Sequence, residues 1–121
     1  PTLGSPRPKS MALKDRSCSP SSSQTPSITE HEMESYLREL TRPWSITDKG
    51  HLEGVFKFEN FVKAMDFANQ LTEIAETENH HPDLHIRWGE CRVEIWTHTI
   101  NGLSESDFIF AAKSETVYTK L

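Results

Sequence analysis

Apolar residues recur along this chain with two periods, close to 3.6 where they mark one face of a helix and 2 where they mark one face of a strand. Met33, Tyr36, Leu37 and Leu40 share a helical face. Thr29 and Glu32 stand at capping-box spacing, Ile28 and Met33 can form a hydrophobic staple, and Pro43 follows, so a helix is predicted over 29–41. Next, Trp44-Ser45-Ile46 and the run from Leu52 to Phe58 flank Asp48-Lys49-Gly50, a turn cluster, which predicts a β-hairpin. On its second arm Leu52, Gly54, Phe56 and Phe58 share one phase and Val55 and Lys57 the other. After Asn60, a cap, the residues Phe61, Ala64, Met65, Ala68, Leu71 and Ala75 sustain helical spacing for several turns and bring Glu73 and Glu76 up to a pair of histidines.

A second hairpin follows, because Leu84, Ile86 and Trp88 alternate with His85 and Arg87. Beyond Gly89-Glu90, Cys91, Val93, Ile95 and Thr97 alternate with Arg92, Glu94, Trp96 and His98. Ser104 with Asp107, and Leu103 with Phe108, open a last helix running toward Tyr118. The order α-β-β-α-β-β-α with hairpin-joined strands predicts an α+β fold: a two-layer sandwich of a four-stranded antiparallel sheet covered by three helices.

Composition changes this picture at one end. Residues 1–27 are rich in Pro and Ser, as in Pro6-Arg7-Pro8 and Ser19-Pro20-Ser21-Ser22-Ser23, and have no apolar period. They read as an N-terminal tail ahead of a domain over 28–121. In the tail Arg7, Lys9, Lys14 and Arg16 oppose only Asp15, which leaves the domain with nearly all the acidic residues behind the net charge of −5. An acidic domain is a poor partner for phosphate backbones, so direct nucleic-acid binding is not expected. No apolar run approaches the ~20 residues of a membrane span, and no membrane partner is expected. Cys18 and Cys91 do not make a disulfide framework, which fits a reducing compartment and a cytoplasmic location. An organellar targeting remnant is the alternative reading of the basic, serine-containing tail.

The candidate chemistry lies between Glu76 and His98. Pro82 keeps His81 extended, so the side chains of His80 and His81 should diverge. Glu76, four residues before His80, is placed to orient that imidazole, and His98 enters from the end of the second hairpin. Taken singly, each of these is commonly an ordinary surface or loop residue, and Trp44, Trp88 and Trp96 serve packing first. His31, His51 and His85 read as ordinary positions.

The assembled pattern resembles the pterin-4a-carbinolamine dehydratase family, whose members include a dimerization cofactor of a homeodomain transcription factor. The resemblance spans most of residues 29–119. It rests on Trp44, Phe56-Lys57-Phe58, Glu76-Thr77-Glu78-Asn79-His80-His81-Pro82, Trp96-Thr97-His98 and Gly102-Leu103-Ser104 with Asp107. The chain departs from relatives at Asn79, where some carry Asp, at Trp96, where the residue is smaller, and at Trp88-Gly89, commonly Tyr-Asn. The resemblance implies that a 4a-hydroxytetrahydropterin is dehydrated to a quinonoid dihydropterin in tetrahydrobiopterin recycling, with pterin as substrate and no cofactor. It implies that His80, His81 and His98 are the catalytic histidines with Glu76 as supporting acid. Substrate contacts are implied around Asn79, His80, His81, Trp96, Thr97, His98 and Thr99. It also implies a homo-oligomer, dimer or tetramer, and through the coactivator role a protein partner and a nuclear location.

Dehydration of a carbinolamine needs an acid for the departing hydroxyl and a base for the neighbouring ring N–H, and histidine, with a reference pKa of about 6.5, suits both. His81 is expected to lead, with His80 and His98 assisting. Two alternatives stand beside this: zinc or iron held by the histidines and the glutamate, and a non-enzymatic dimerising interaction module.

Overall fold

The computed structural model describes residues 12–18, 22 and 24–121, so much of the Pro/Ser-rich stretch expected to be a tail, with Arg7 and Lys9, lies outside the described residues. Helix α1 (Glu30–Glu39) is closed by the expected box: Glu32 N–H donates to Thr29 Oγ1 at 3.1 Å and Thr29 N–H to Glu32 Oε1 at 3.0 Å. It ends short of the expected Thr41. The Thr41 and Arg42 N–H groups donate instead to the buried carboxylate of Glu115, at 3.0 and 2.8 Å, and the Trp44 indole N–H joins them at 2.9 Å. A side chain near the end of the last helix thereby fixes how the chain leaves the first.

Strands β1 (Trp44–Ile46), β2 (Leu52–Lys57), β3 (Asp83–Arg87) and β4 (Glu90–Ile95) form one antiparallel sheet in the order β1-β2-β4-β3. The two hairpins thus join through β2 and β4, with Leu52 opposite Ile95 and Phe56 opposite Cys91. Leu52, Phe56, Cys91, Val93 and Ile95 form the buried face of the sheet. Helix α2 (Phe61–Glu78), capped by Asn60 as expected, lays Ala64, Phe67, Ala68, Leu71 and Ala75 into the core. Gly54 faces Trp44 across the first hairpin, and a Cβ there would lie 2.7 Å from the indole ring. Gly54→Ala is therefore expected to destabilise the fold by about 1–3 kcal/mol through overpacking, read as a lower urea midpoint with unchanged slope.

Helix α3 (Glu105–Thr119) is buried almost all round, through Phe108, Ile109, Phe110, Ala111, Ala112 and Ser114. Part of its cover comes from residues 12–18, which the sequence places in the tail. Leu13 is 2% exposed in a short 3₁₀ turn (Leu13–Asp15), and Arg16 pairs with Glu105 at 2.7 Å. Cys18 N–H donates to Glu78 Oε1 at 2.7 Å, and Lys113 Nζ to the Lys14 carbonyl at 3.0 Å. A helix buried on every side needs a partner on every side. No described helix is long and apolar enough to cross a membrane.

Candidate active site

The end of α2 sets the site. Asn79 takes the left-handed conformation (φ 53°, ψ 44°), a geometry asparagine tolerates better than most residues, and the helix stops there with Asn79 N–H bonded to the Ala75 carbonyl. His80 N–H also returns to the Ala75 carbonyl, at 3.1 Å. Past this turn the two imidazoles diverge, as Pro82 predicts: His80 is 6% exposed and His81 is open to solvent. Asn79, expected among the substrate contacts, has a clear structural duty as the residue that reverses the chain.

His80 Nε2 lies 2.6 Å from Oδ1 of Asp107, a carboxylate with no exposed surface. The other oxygen of Asp107 accepts the Ser104 N–H at 2.8 Å and the Thr97 hydroxyl at 2.9 Å, and Thr97 Oγ1 and Ser104 Oγ are 2.6 Å apart. An ionised carboxylate only accepts, so in this network Nε2 of His80 is the donor to Asp107. Asp107, legible in the sequence as a helix cap, also ties the His80 segment to Thr97 and hence to the chain entering His98.

Glu76 was expected to orient His80. Its Oε2 instead lies 2.6 Å from Nε2 of His81, both side chains being exposed. The helical spacing that would bring Glu76 to His80 is broken by Asn79, which sends His80 inward and carries His81 back over the last turn of α2. Beside this pair is a shallow pocket of about 110 Å³ lined by Leu71, Thr72, Ala75, Glu76, His81, Pro82 and Leu84. It is smaller than the ~300–1,000 Å³ of enclosed small-molecule sites, so a planar ligand here would rest on an open lip. Larger clefts of about 370 to 500 Å³ beside α3, such as those at Leu13 and Tyr118, contain no histidine.

His98 opens a second 3₁₀ turn (His98–Ile100) that the alternation of β4 did not reveal, closed by a bridge between Thr97 and Gly102. Thr97 is fully buried, and His98 and Thr99 are exposed. The His98 ring is 4.5 Å from Trp96 at an interplanar angle of 47°, and Trp96 stacks on His51 at 3.7 Å and 4°. His51 Nδ1 meets Glu94 Oε2 at 2.5 Å, and that hydrogen bond holds the Glu94 carboxyl below its usual range. The structure thus brings Glu76 to His81, Asp107 to His80 and to Thr97, and Trp96 to His98; among the described residues no hydrogen bond joins the three histidines directly.

Among the described residues, donor atoms converge as a metal would require at Asp83, His85 and Glu94, all within 4.8 Å of one another on the open face of the sheet. Burial disfavours the thiolate at both cysteines. Burial pushes Cys91 up to about 11, and burial with the nearby Glu78 pushes Cys18 up to about 12.

Comparison with known proteins gives a consistent answer. The family model described as pterin 4 alpha carbinolamine dehydratase matches residues 26–117. A protein of Rickettsia canadensis that bears a pterin-4-alpha-carbinolamine dehydratase name is 51% identical over 104 residues, 86% of this chain and 95% of its own. Another so named, from Alkaliphilus metalliredigens, is 43% identical over 84% of this chain and 91% of its own. A crystal structure from Brucella melitensis, described as a transcriptional coactivator/pterin dehydratase, superposes with a TM-score of 0.71 at 32% identity, over 76% of this chain and 98% of its own.

Proposed function

This chain belongs to the pterin 4 alpha carbinolamine dehydratase family, and from that premise we propose that it is a hydro-lyase dehydrating a 4a-hydroxytetrahydropterin by histidine acid–base chemistry. The observation that carries the mechanism is a pair of adjacent histidines, each bonded through Nε2 to its own carboxylate, one pair buried and the other open. In the reaction the carbon–oxygen bond of the carbinolamine breaks as the hydroxyl takes a proton and leaves as water. The neighbouring ring N–H gives up its proton, and its electron pair closes the carbon–nitrogen double bond. One proton is supplied and one removed, so no redox cofactor enters the balance.

His81 is the leading proton carrier in this reading. It is exposed beside the pocket, and Glu76 on its Nε2 leaves Nδ1 to exchange protons. Held by Asp107, His80 supports the same step from beneath, and His98 approaches from the Thr97 side. Trp96 and Thr99 complete the segment against which the pterin lies, whereas Thr97, expected among the substrate contacts, is fully buried and holds that segment to Asp107 from within. The product is a quinonoid dihydropterin, and the reaction returns the pterin to the recycling that follows aromatic amino-acid hydroxylation. A homo-oligomer, dimer or tetramer, is part of the same reading.

The pH profile of kcat/KM for the 4a-hydroxytetrahydropterin tests the acid–base part. It is expected to bend within the range where histidine changes charge, about pH 5–8. A profile flat across that range would remove the histidines from proton transfer.

A further inference from the structure

His98 is the least supported of the three histidines. Its ring is exposed at the start of a short turn, the imidazole makes no hydrogen bond among the described residues, and its ring contact is with Trp96. What holds Trp96 therefore decides where the His98 imidazole points. The indole lies flat on His51 at 3.7 Å and 4°, a full-face contact.

His51 is in turn fixed at several points. It is 5% exposed, its N–H donates to Thr47 Oγ1 at 3.1 Å, and its carbonyl accepts the Thr47 N–H at 2.8 Å. Its Nδ1 is pinned to Glu94 across the sheet, where His85 also lies 3.6 Å from the carboxylate. Burying an imidazole together with a carboxylate is costly unless the pair is well made. The dehydration mechanism does not touch either group, and an aliphatic side chain would fill the space at lower cost.

We propose that His51 is a positioning residue: clamped by Glu94, it backs the Trp96 indole into a rigid wall that sets the orientation of the His98 imidazole toward the substrate. The inference rests on the dehydratase reading for its catalytic consequence and on the stack alone for its structural one. Small displacements of a catalytic group cost up to ~10²-fold in rate, which fixes the scale of the expected effect.

The test combines kinetics with imidazole NMR on the full chain. His51→Ala is expected to lower kcat about 10- to 100-fold with little change in KM, and His51→Phe, which keeps a flat ring under the indole, to restore most of the rate. In a His98→Ala background, His51→Ala is expected to cost nothing more, because its effect runs through His98. The His98 ring signals of the wild type should carry the ring-current shift of Trp96, lose it in His51→Ala and regain it in His51→Phe. The proposal is overturned if folded His51→Ala turns over at the wild-type rate, or if its loss adds fully to that of His98→Ala. It is overturned equally if the His98 signals do not move. A wild type without dehydratase activity would instead sink the function proposed above, and the ring signals would still decide the role of His51.

Discussion

Replacing His81 by alanine is expected to lower the rate of 4a-hydroxytetrahydropterin dehydration by ~10²–10⁴-fold, the usual contribution of a positioned acid–base group. The fold should not register the change. His81 is exposed and its partner Glu76 is more exposed still, so the pair contributes little to stability and its loss leaves no buried group unsatisfied. The variant is checked by kinetics beside a thermal melt, and a Tm equal to wild type with a collapsed kcat is the predicted combination. Equal rates for the two proteins would take His81 out of the reaction. Glu76→Gln is the graded version, because it keeps a hydrogen-bond acceptor for His81 Nε2 and removes the carboxylate charge beside it.

The second large effect belongs to Asp107 and falls on both stability and activity. Asp107 has no exposed surface and receives His80, Thr97 and the Ser104 N–H. Asp107→Ala strands those partners in the interior and removes a cap from α3. Breaking a buried pair in this way typically costs ~3–5 kcal/mol, a large part of the stability of a small domain. Urea unfolding is expected to show it as a strongly lowered midpoint. Asp107→Asn separates the two roles, since it nearly preserves shape while presenting a mixed donor and acceptor to His80. It is expected to keep more of the stability and still lose rate, by unsettling which nitrogen of His80 carries the proton. An Asp107→Ala protein as stable as wild type would mean that the buried network is not what holds the His80 segment.

These predictions draw on parts of the molecule that were unequally legible in the sequence. Periodicity was sufficient for α2 and the second hairpin, because each buries one face and the repeat of Ala64, Ala68, Leu71 and Ala75, or of Cys91, Val93 and Ile95, records which, although Phe61 at the head of the helical repeat is exposed and Phe67, outside it, is buried. It could not show that Leu13, Arg16 and Cys18 lie against α3. A single anchoring leucine with an ion pair and a few backbone hydrogen bonds leaves no period behind.

The site followed the same division. The histidines and their divergence were readable from His80-His81-Pro82, but the partner of Glu76 was not, because one left-handed residue, Asn79, converts a helical spacing into a reversal. Asp107 was visible as a cap and concealed as the partner of His80, since the motif records only its local hydrogen bond. His51 looked ordinary for a topological reason. The strand order that sets the start of β2 beside the end of β4, and so His51 beside Glu94 and Trp96, is not encoded in the alternation of either strand.

The central claim, that this chain removes water from a 4a-hydroxytetrahydropterin, is tested most directly by generating that compound with an aromatic amino-acid hydroxylase and following its decay to the quinonoid dihydropterin with and without the purified protein. The account predicts a decay rate that rises in proportion to protein concentration and is lost in His81→Ala. A decay no faster than in buffer alone, with folded protein present, would contradict it.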